Sequence, residues 1–106
     1  MSKEYIKAQT PLPAYFPYPK FLLQMSLSHT ARLTYVLLLD RMTLSQKNGW
    51  VDAQGRAYVL YPLAGLAADL QSSISSVTRA LRELEAARLI ERRSNGFSKP
   101  NQIFLG

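Results

Sequence analysis

The stretch from Ser72 to Phe104 limits most strongly what this chain can fold into. It opens with a segment of helical periodicity, continues with Leu-Ile-Glu-Arg-Arg (89–93), passes through Ser-Asn-Gly-Phe-Ser-Lys-Pro (94–100) and ends in Asn-Gln-Ile-Phe. This pattern predicts an amphipathic helix followed by a β-hairpin with a polar, basic loop. Neither element can bury its apolar face alone, so the rest of the chain must form the platform beneath them.

The predicted helix has two chemically different faces. Ile74, Val77, Leu81 and Leu84 recur at spacings of three and four, and we expect them to be buried. The other face carries short hydroxyl side chains and arginines: Ser72, Ser73, Ser75, Ser76, Thr78, Arg79 and Arg82. Short polar residues let a helix approach the major groove of DNA, and arginines reach guanine edges or phosphates. A merely solvated face, with some of the serines as helix caps, is the alternative interpretation.

The predicted hairpin carries further positive charge. Arg92, Arg93, Asn95 and Lys99 surround its loop, and six of the 13 Lys and Arg residues lie between positions 79 and 99. Such a hairpin can lie along a phosphate backbone or enter a minor groove. The alternative is a hairpin that is charged only for solubility. Together with the helix, it indicates a DNA-binding surface.

Helix signals also precede this stretch. Ser28 is a suitable N-cap for a helix that runs to about Lys47, and Gly49 suits the left-handed position after its last turn. The apolar run 33–39 predicts that this helix is buried on more than one side. Pro62 suits the first residue of a second helix, whose stripe is Leu63, Leu66, Ala67 and Leu70.

Extended segments are predicted between and after these helices. Trp50–Val51 and the run 56–61 flank Asp-Ala-Gln-Gly, a turn with glycine where a positive φ is expected, and Trp50 is expected to pack the end of the first helix against this hairpin. The elements are then helix, hairpin, helix, helix, strand, strand. This order predicts an α+β fold of the winged helix-turn-helix type, with three helices and a β-hairpin wing.

The first 20 residues differ from the remainder because they hold four of the six prolines. We expect residues 1–17 to form a flexible N-terminal arm and residues 18–106 to form the winged-helix domain. The segment from Tyr18 to Leu23 is expected to be extended or a short helical turn. Its aromatic and aliphatic residues either pack on the domain's own core or contact a second copy of the chain.

Charge and residue types exclude several classes of function. The net charge of +6 and pI near 9.9 favour a polyanionic partner. No apolar run reaches the roughly 18 residues of a membrane span, no signal peptide is visible, and cysteine is absent, which together favour a cytoplasmic protein.

The sequence offers no candidate catalytic constellation. The single histidine, His29, is interpreted as a surface or capping residue, and there is no phosphate-binding glycine motif and no metal-ligand spacing. We therefore expect no enzyme activity, no cofactor and no metal.

Three segments carry a family resemblance. They are Leu-Thr-Tyr-Val-Leu-Leu-Leu-Asp-Arg-Met-Thr-Leu-Ser-Gln-Lys-Asn-Gly-Trp-Val-Asp (33–52), Leu-Arg-Glu-Leu-Glu-Ala-Ala-Arg-Leu-Ile-Glu-Arg-Arg (81–93) and Gly-Phe-Ser-Lys-Pro-Asn-Gln-Ile-Phe (96–104). Together they resemble the N-terminal domain of the replication initiator A family of plasmids. The first segment is the most specific, and the likeness extends from about Tyr18 to Leu105.

The resemblance implies a winged-helix domain that binds repeated double-stranded origin sites, usually as a homodimer, to start plasmid replication. It also implies a further C-terminal domain that engages host replication proteins. One departure is the nearly neutral segment 62–69, where the family often has charged residues, and this weakens the case for phosphate contacts from the second helix. A winged-helix transcriptional regulator and a winged-helix protein-interaction module that never binds DNA remain the alternatives.

Overall fold

The computed structural model describes residues 5–94 and 101–106. A 3₁₀ helix at Lys20–Gln24 is followed by α1 (His29–Asn48), β1 (Val59–Leu60), α2 (Leu63–Leu70), α3 (Ile74–Ala86), β2 (Ile90–Arg93) and β3 (Gln102–Leu105). The three strands form an antiparallel sheet in the order β1-β3-β2. Three helices with a small sheet that ends in a hairpin confirm the predicted winged-helix class.

The predicted helix boundaries are confirmed at their caps. The Ser28 hydroxyl accepts a hydrogen bond from the backbone N–H of Ala31, and Gly49 ends α1 with φ 70°. Ser73 caps α3 by accepting from the N–H of Ser76. Pro62 lies one position before its predicted place, as the N-cap of α2.

Helix α1 is the central element of the domain, as its apolar run predicted. It packs against α2, α3 and β1. Leu38 of α1, Leu66 of α2, Leu81 of α3 and Ile103 of β3 are almost completely buried in one core. The prediction of burial on several sides of α1 holds only in part, since Leu33 and Leu44 remain 49% and 45% exposed.

The segment that precedes α1 joins the same core. Leu22 is fully buried, and the ring of Phe21 lies edge-to-face on Tyr35 of α1 at 5.9 Å. The 3₁₀ helix is the short helical turn that the sequence allowed, and these contacts favour packing on the domain's own core. Tyr15, Phe16 and Leu23 are more than half exposed. The predicted boundary between arm and domain near residue 18 stays a prediction.

Two local predictions differ from the structure. Ile74 is 52% exposed instead of buried, and it is the first residue of α3. The predicted hairpin at residues 50–61 contains a single bridge, Val51 to Ala57, while Val59 and Leu60 pair with β3 instead. Its turn is as expected, with Gly55 at φ 80°. Trp50 links α1 to this turn through its backbone, and its side chain is 36% exposed.

Candidate nucleic-acid interface

The exposed face of α3 is the first part of the candidate interface. Ser75, Arg79 and Arg82 are exposed there, opposite the buried residues Val77, Leu81 and Leu84. Among the described residues, no carboxylate forms an ion pair with Arg79 or Arg82. A guanidinium without a partner keeps all of its donors available for an anion or a base edge.

The other predicted hydroxyls of this face already have partners within the chain. Ser73 is the N-cap and also donates to the Ser76 hydroxyl at 3.0 Å. The Ser72 hydroxyl donates to the Leu70 carbonyl and the Thr78 hydroxyl donates to the Ile74 carbonyl. These bonds hold the start of α3 in shape, so the alternative capping role is confirmed for Ser73. Each hydroxyl keeps lone pairs that can still accept.

Glu83 fastens α3 to the start of α1. Its carboxylate accepts hydrogen bonds from the Ser28 hydroxyl at 2.6 Å and from the Ser28 backbone N–H at 2.9 Å. These bonds lower the pKa of Glu83, and the nearby charge of Arg79 acts in the same direction. The contact between α3 and α1 beside Arg79 therefore persists at neutral pH, where Glu83 is ionised.

The arginines of β2 lie on opposite faces of the sheet. Arg92 shares the inward face with Ile90, and its Nε and Nη2 donate to Glu85 Oε1 of α3 at 3.0 and 2.6 Å. Only 20% of its side chain is exposed. The structure thus places Arg92, a predicted DNA contact, in an ion pair between the wing and α3.

Arg93 lies on the outer face, where it is 41% exposed. Its guanidinium stacks on the Phe104 ring at 4.8 Å and pairs with Glu91 at 3.1 Å and, more weakly, with Asp52 at 3.7 Å. The predicted contacts Asn95 and Lys99 lie outside the described residues.

Arg56 is a basic residue of this outer face that the sequence analysis missed. Its guanidinium lies 5.4 Å from the centre of the Phe104 ring and forms an ion pair with Asp52 at 2.8 Å. Asp52 also accepts hydrogen bonds from the backbone N–H groups of Gln54 and Arg56. These bonds lower the pKa of Asp52, and the bond from the Arg56 N–H has the largest effect. The Asp-x-x-Gly-Arg spacing of the turn was the available signal, since an aspartate at such a turn commonly binds backbone N–H groups ahead of it.

No cluster of three or more possible metal ligands occurs in the part of the chain that the structure describes. Among the same residues, no helix has the length and apolar character needed to cross a membrane. The candidate interface consists of the exposed arginines and hydroxyls of α3, together with Arg93 and Arg56 on the outer face of the sheet.

Comparison with known proteins decides the family. Residues 14–106 match the family described as Replication initiator protein A (RepA) N-terminus. The chain belongs to this family. The match covers all three helices and the wing, and it confirms the resemblance seen in the sequence.

A curated protein is also similar to the chain. The chain is 28% identical to a "41 kDa protein" of Lactobacillus helveticus over 104 residues, which is 94% of this chain and 30% of that protein. The chain thus spans about 30% of the length of this curated relative.

Solved structures share the fold of this RepA N-terminal domain. A "Structure of Rep-DNA complex" matches with a TM-score of 0.73 and 29% identity, covering 88% of this chain and 75% of that one. A "Structure of MDR initiator" matches with a TM-score of 0.71 and 30% identity over 88% of this chain and 76% of that one. An "N-Terminal domain of DNA binding protein" gives a TM-score of 0.74 and 25% identity, covering 99% and 84% of the two chains.

Proposed function

We propose that this domain binds double-stranded DNA in a sequence-specific manner at a plasmid replication origin, as the N-terminal domain of a replication initiator in the cytoplasm. The observation that carries the proposal is the unpaired cationic face of α3. Arg79 and Arg82 project from a helix whose opposite face buries Val77, Leu81 and Leu84, in a family of replication initiators. One similar structure is titled as a complex of a Rep protein with DNA.

The exposed face of α3 enters the major groove in this proposal. Ser75 and Ser76 allow close approach of the backbone, and Arg79 and Arg82 bind guanine edges or adjacent phosphates. The free N–H groups at the start of α3 add a favourable dipole for a phosphate. Arg93, with Asn95 and Lys99 from the loop, binds the neighbouring backbone and fixes the register of the helix.

The proposal also covers how the domain assembles on DNA. Two copies of the domain bind adjacent half-sites of a repeated origin sequence, and a further domain of the initiator engages host replication proteins. The domain itself catalyses no reaction and needs no cofactor, since the groups that it presents are suited to binding a polyanion and not to transferring a group.

Selection of bound sequences from a random duplex library tests the proposal. The expected result is recovery of one motif, present as a direct or inverted repeat if two copies bind together. The bound motif should then show an affinity that exceeds that of scrambled duplex by roughly 10³-fold or more at physiological salt. Binding to every duplex with equal affinity would contradict sequence-specific recognition, and the absence of any retardation in low salt would contradict DNA binding altogether.

A further inference from the structure

Two glutamates of the Leu-Arg-Glu-Leu-Glu segment (81–85) hold α3 to different parts of the domain. They flank Leu84, which is fully buried. Glu83 accepts two hydrogen bonds from Ser28 at the start of α1, and Glu85 accepts two from Arg92 of β2. The helix that carries Arg79 and Arg82 is therefore tied to the helical platform by one carboxylate and to the wing by the next.

The contact between Glu85 and Arg92 joins α3 to the part of β2 that leads to the loop. The start of β2 is held by the turn, in which Leu89 N–H donates to the Leu84 carbonyl, and by the buried side chain of Ile90. Pairing with β3 ties the strand to the rest of the sheet. Arg92 lies further along the strand than Ile90, so its ion pair with Glu85 adds a direct restraint on the angle between this part of the wing and α3.

We infer that Glu85 and Arg92 are positioning residues, which set the wing at a fixed angle to α3 so that both reach one DNA duplex together. This inference rests on the proposed function. It differs from the prediction made from the sequence, in which Arg92 itself binds the DNA backbone. Two of its donors point at one carboxylate oxygen and its side chain is four-fifths covered, so phosphate binding would require release of Glu85.

The two roles predict opposite effects of removing Glu85. If Arg92 binds phosphate, a carboxylate beside it weakens binding, and Glu85→Gln should bind DNA as tightly as wild type or more tightly. If the ion pair positions the wing, Glu85→Gln and Arg92→Gln should weaken binding alike. The salt dependence separates the roles as well, because only a lost phosphate contact lowers its slope, by about one unit.

The experiment measures affinity for the selected duplex across a salt series for wild type, Glu85→Gln, Arg92→Gln and the double variant, at a temperature where circular dichroism shows all four folded. We expect each single variant to lose about three- to tenfold in affinity, the double variant to be no worse than either, and every slope to equal that of wild type. The matched control is Arg88→Gln, which removes an exposed arginine from the α3–β2 turn and should change neither quantity. A lower slope in Arg92→Gln with unimpaired Glu85→Gln would overturn the inference.

A second measurement needs no DNA. Hydrogen exchange of the β2 and β3 backbone amides should speed up about threefold or more in Glu85→Gln, while exchange in α1 stays as in wild type. The exchanged pair Glu85→Arg with Arg92→Glu should restore protection and affinity. Unchanged exchange in the wing of Glu85→Gln would contradict the positioning role, whether or not wild type binds DNA. A wild type that binds no duplex would separately refute the proposed function.

Discussion

The arginines of α3 and those of β2 differ in what surrounds them, although the sequence presents them as one basic cluster. Arg79 and Arg82 project from a helix face with no paired carboxylate among the described residues. Arg92 and Arg93 are each paired, with Glu85 and Glu91 respectively. Unpaired cations add directly to the binding of an anion, whereas paired ones must first give up a partner. Charge counted along a sequence therefore overstates what the wing strands contribute.

The largest expected effect on DNA binding belongs to α3. Arg79→Ala and Arg82→Ala should each cost about 1–3 kcal/mol of binding free energy at the selected site and relax preference at one base pair. Arg82→Ala should leave the free energy of unfolding unchanged because Arg82 forms no ion pair in the described structure, whereas Arg79→Ala should lower it slightly because the charge of Arg79 acts favourably on Glu83. Fluorescence anisotropy with a set of single-base variants of the site, together with urea unfolding, checks both statements. Wild-type affinity in both variants would refute the assignment of α3 to the groove.

A smaller and uniform effect is expected from Arg93→Ala. Because Arg93 already contacts Glu91 and Phe104, its loss should weaken all duplexes alike by about 1 kcal/mol or less and reduce the salt slope by about one. Titrations of specific and scrambled duplex over a salt series measure this. A loss confined to the specific duplex would mean that Arg93 reads bases.

The junction of α1 and α3 should respond to acid. Hydrogen bonds from Ser28 lower the pKa of Glu83 in the folded state, so its contribution to stability is complete above the ordinary pKa of the unfolded chain, about 4.5. That contribution is lost as the pH falls through the lower folded value. Between pH 5 and pH 3 the wild type should therefore lose more stability than Glu83→Gln, as followed by urea midpoints. Parallel losses in both proteins would show that Glu83 is not responsible.

The smallest change is expected at Arg88. This residue has φ 60° in the turn after α3, a conformation that costs a residue with a side chain more than it costs glycine. Arg88→Gly should raise the free energy of unfolding by up to about 1 kcal/mol and leave DNA affinity unchanged. Thermal unfolding and anisotropy test these two outcomes, and a fall in affinity would add the turn to the interface.

Much of this architecture could be predicted because local signals agree with it. Ser28, Gly49 and Ser73 fix helix ends through contacts within a few residues of themselves. The pairing of Val59 with Ile103 could not be predicted from local signals, because it joins distant parts of the chain. The hydrogen bonds between Glu83 and Ser28 could not be predicted for the same reason, since they also join distant parts of the chain.

The position of Arg92 could have been predicted from the sequence. Side chains alternate along a strand, so Arg92 shares the face of the buried Ile90. The prediction instead placed Arg92 on the exposed surface because the segment is basic. Which residues of α3 and the wing meet DNA stays a prediction.

The order of the sheet also has a consequence for how the domain is made. Its central strand, β3, is synthesised last of the three, and both β1 and β2 pair with it. On the ribosome, the helices can assemble while β1 still lacks any neighbour, and Ile103 completes the core only when it emerges. Closure of the long loop between β1 and β3 is therefore expected to be a late step of folding, during which the edge of β1 is open to mispairing.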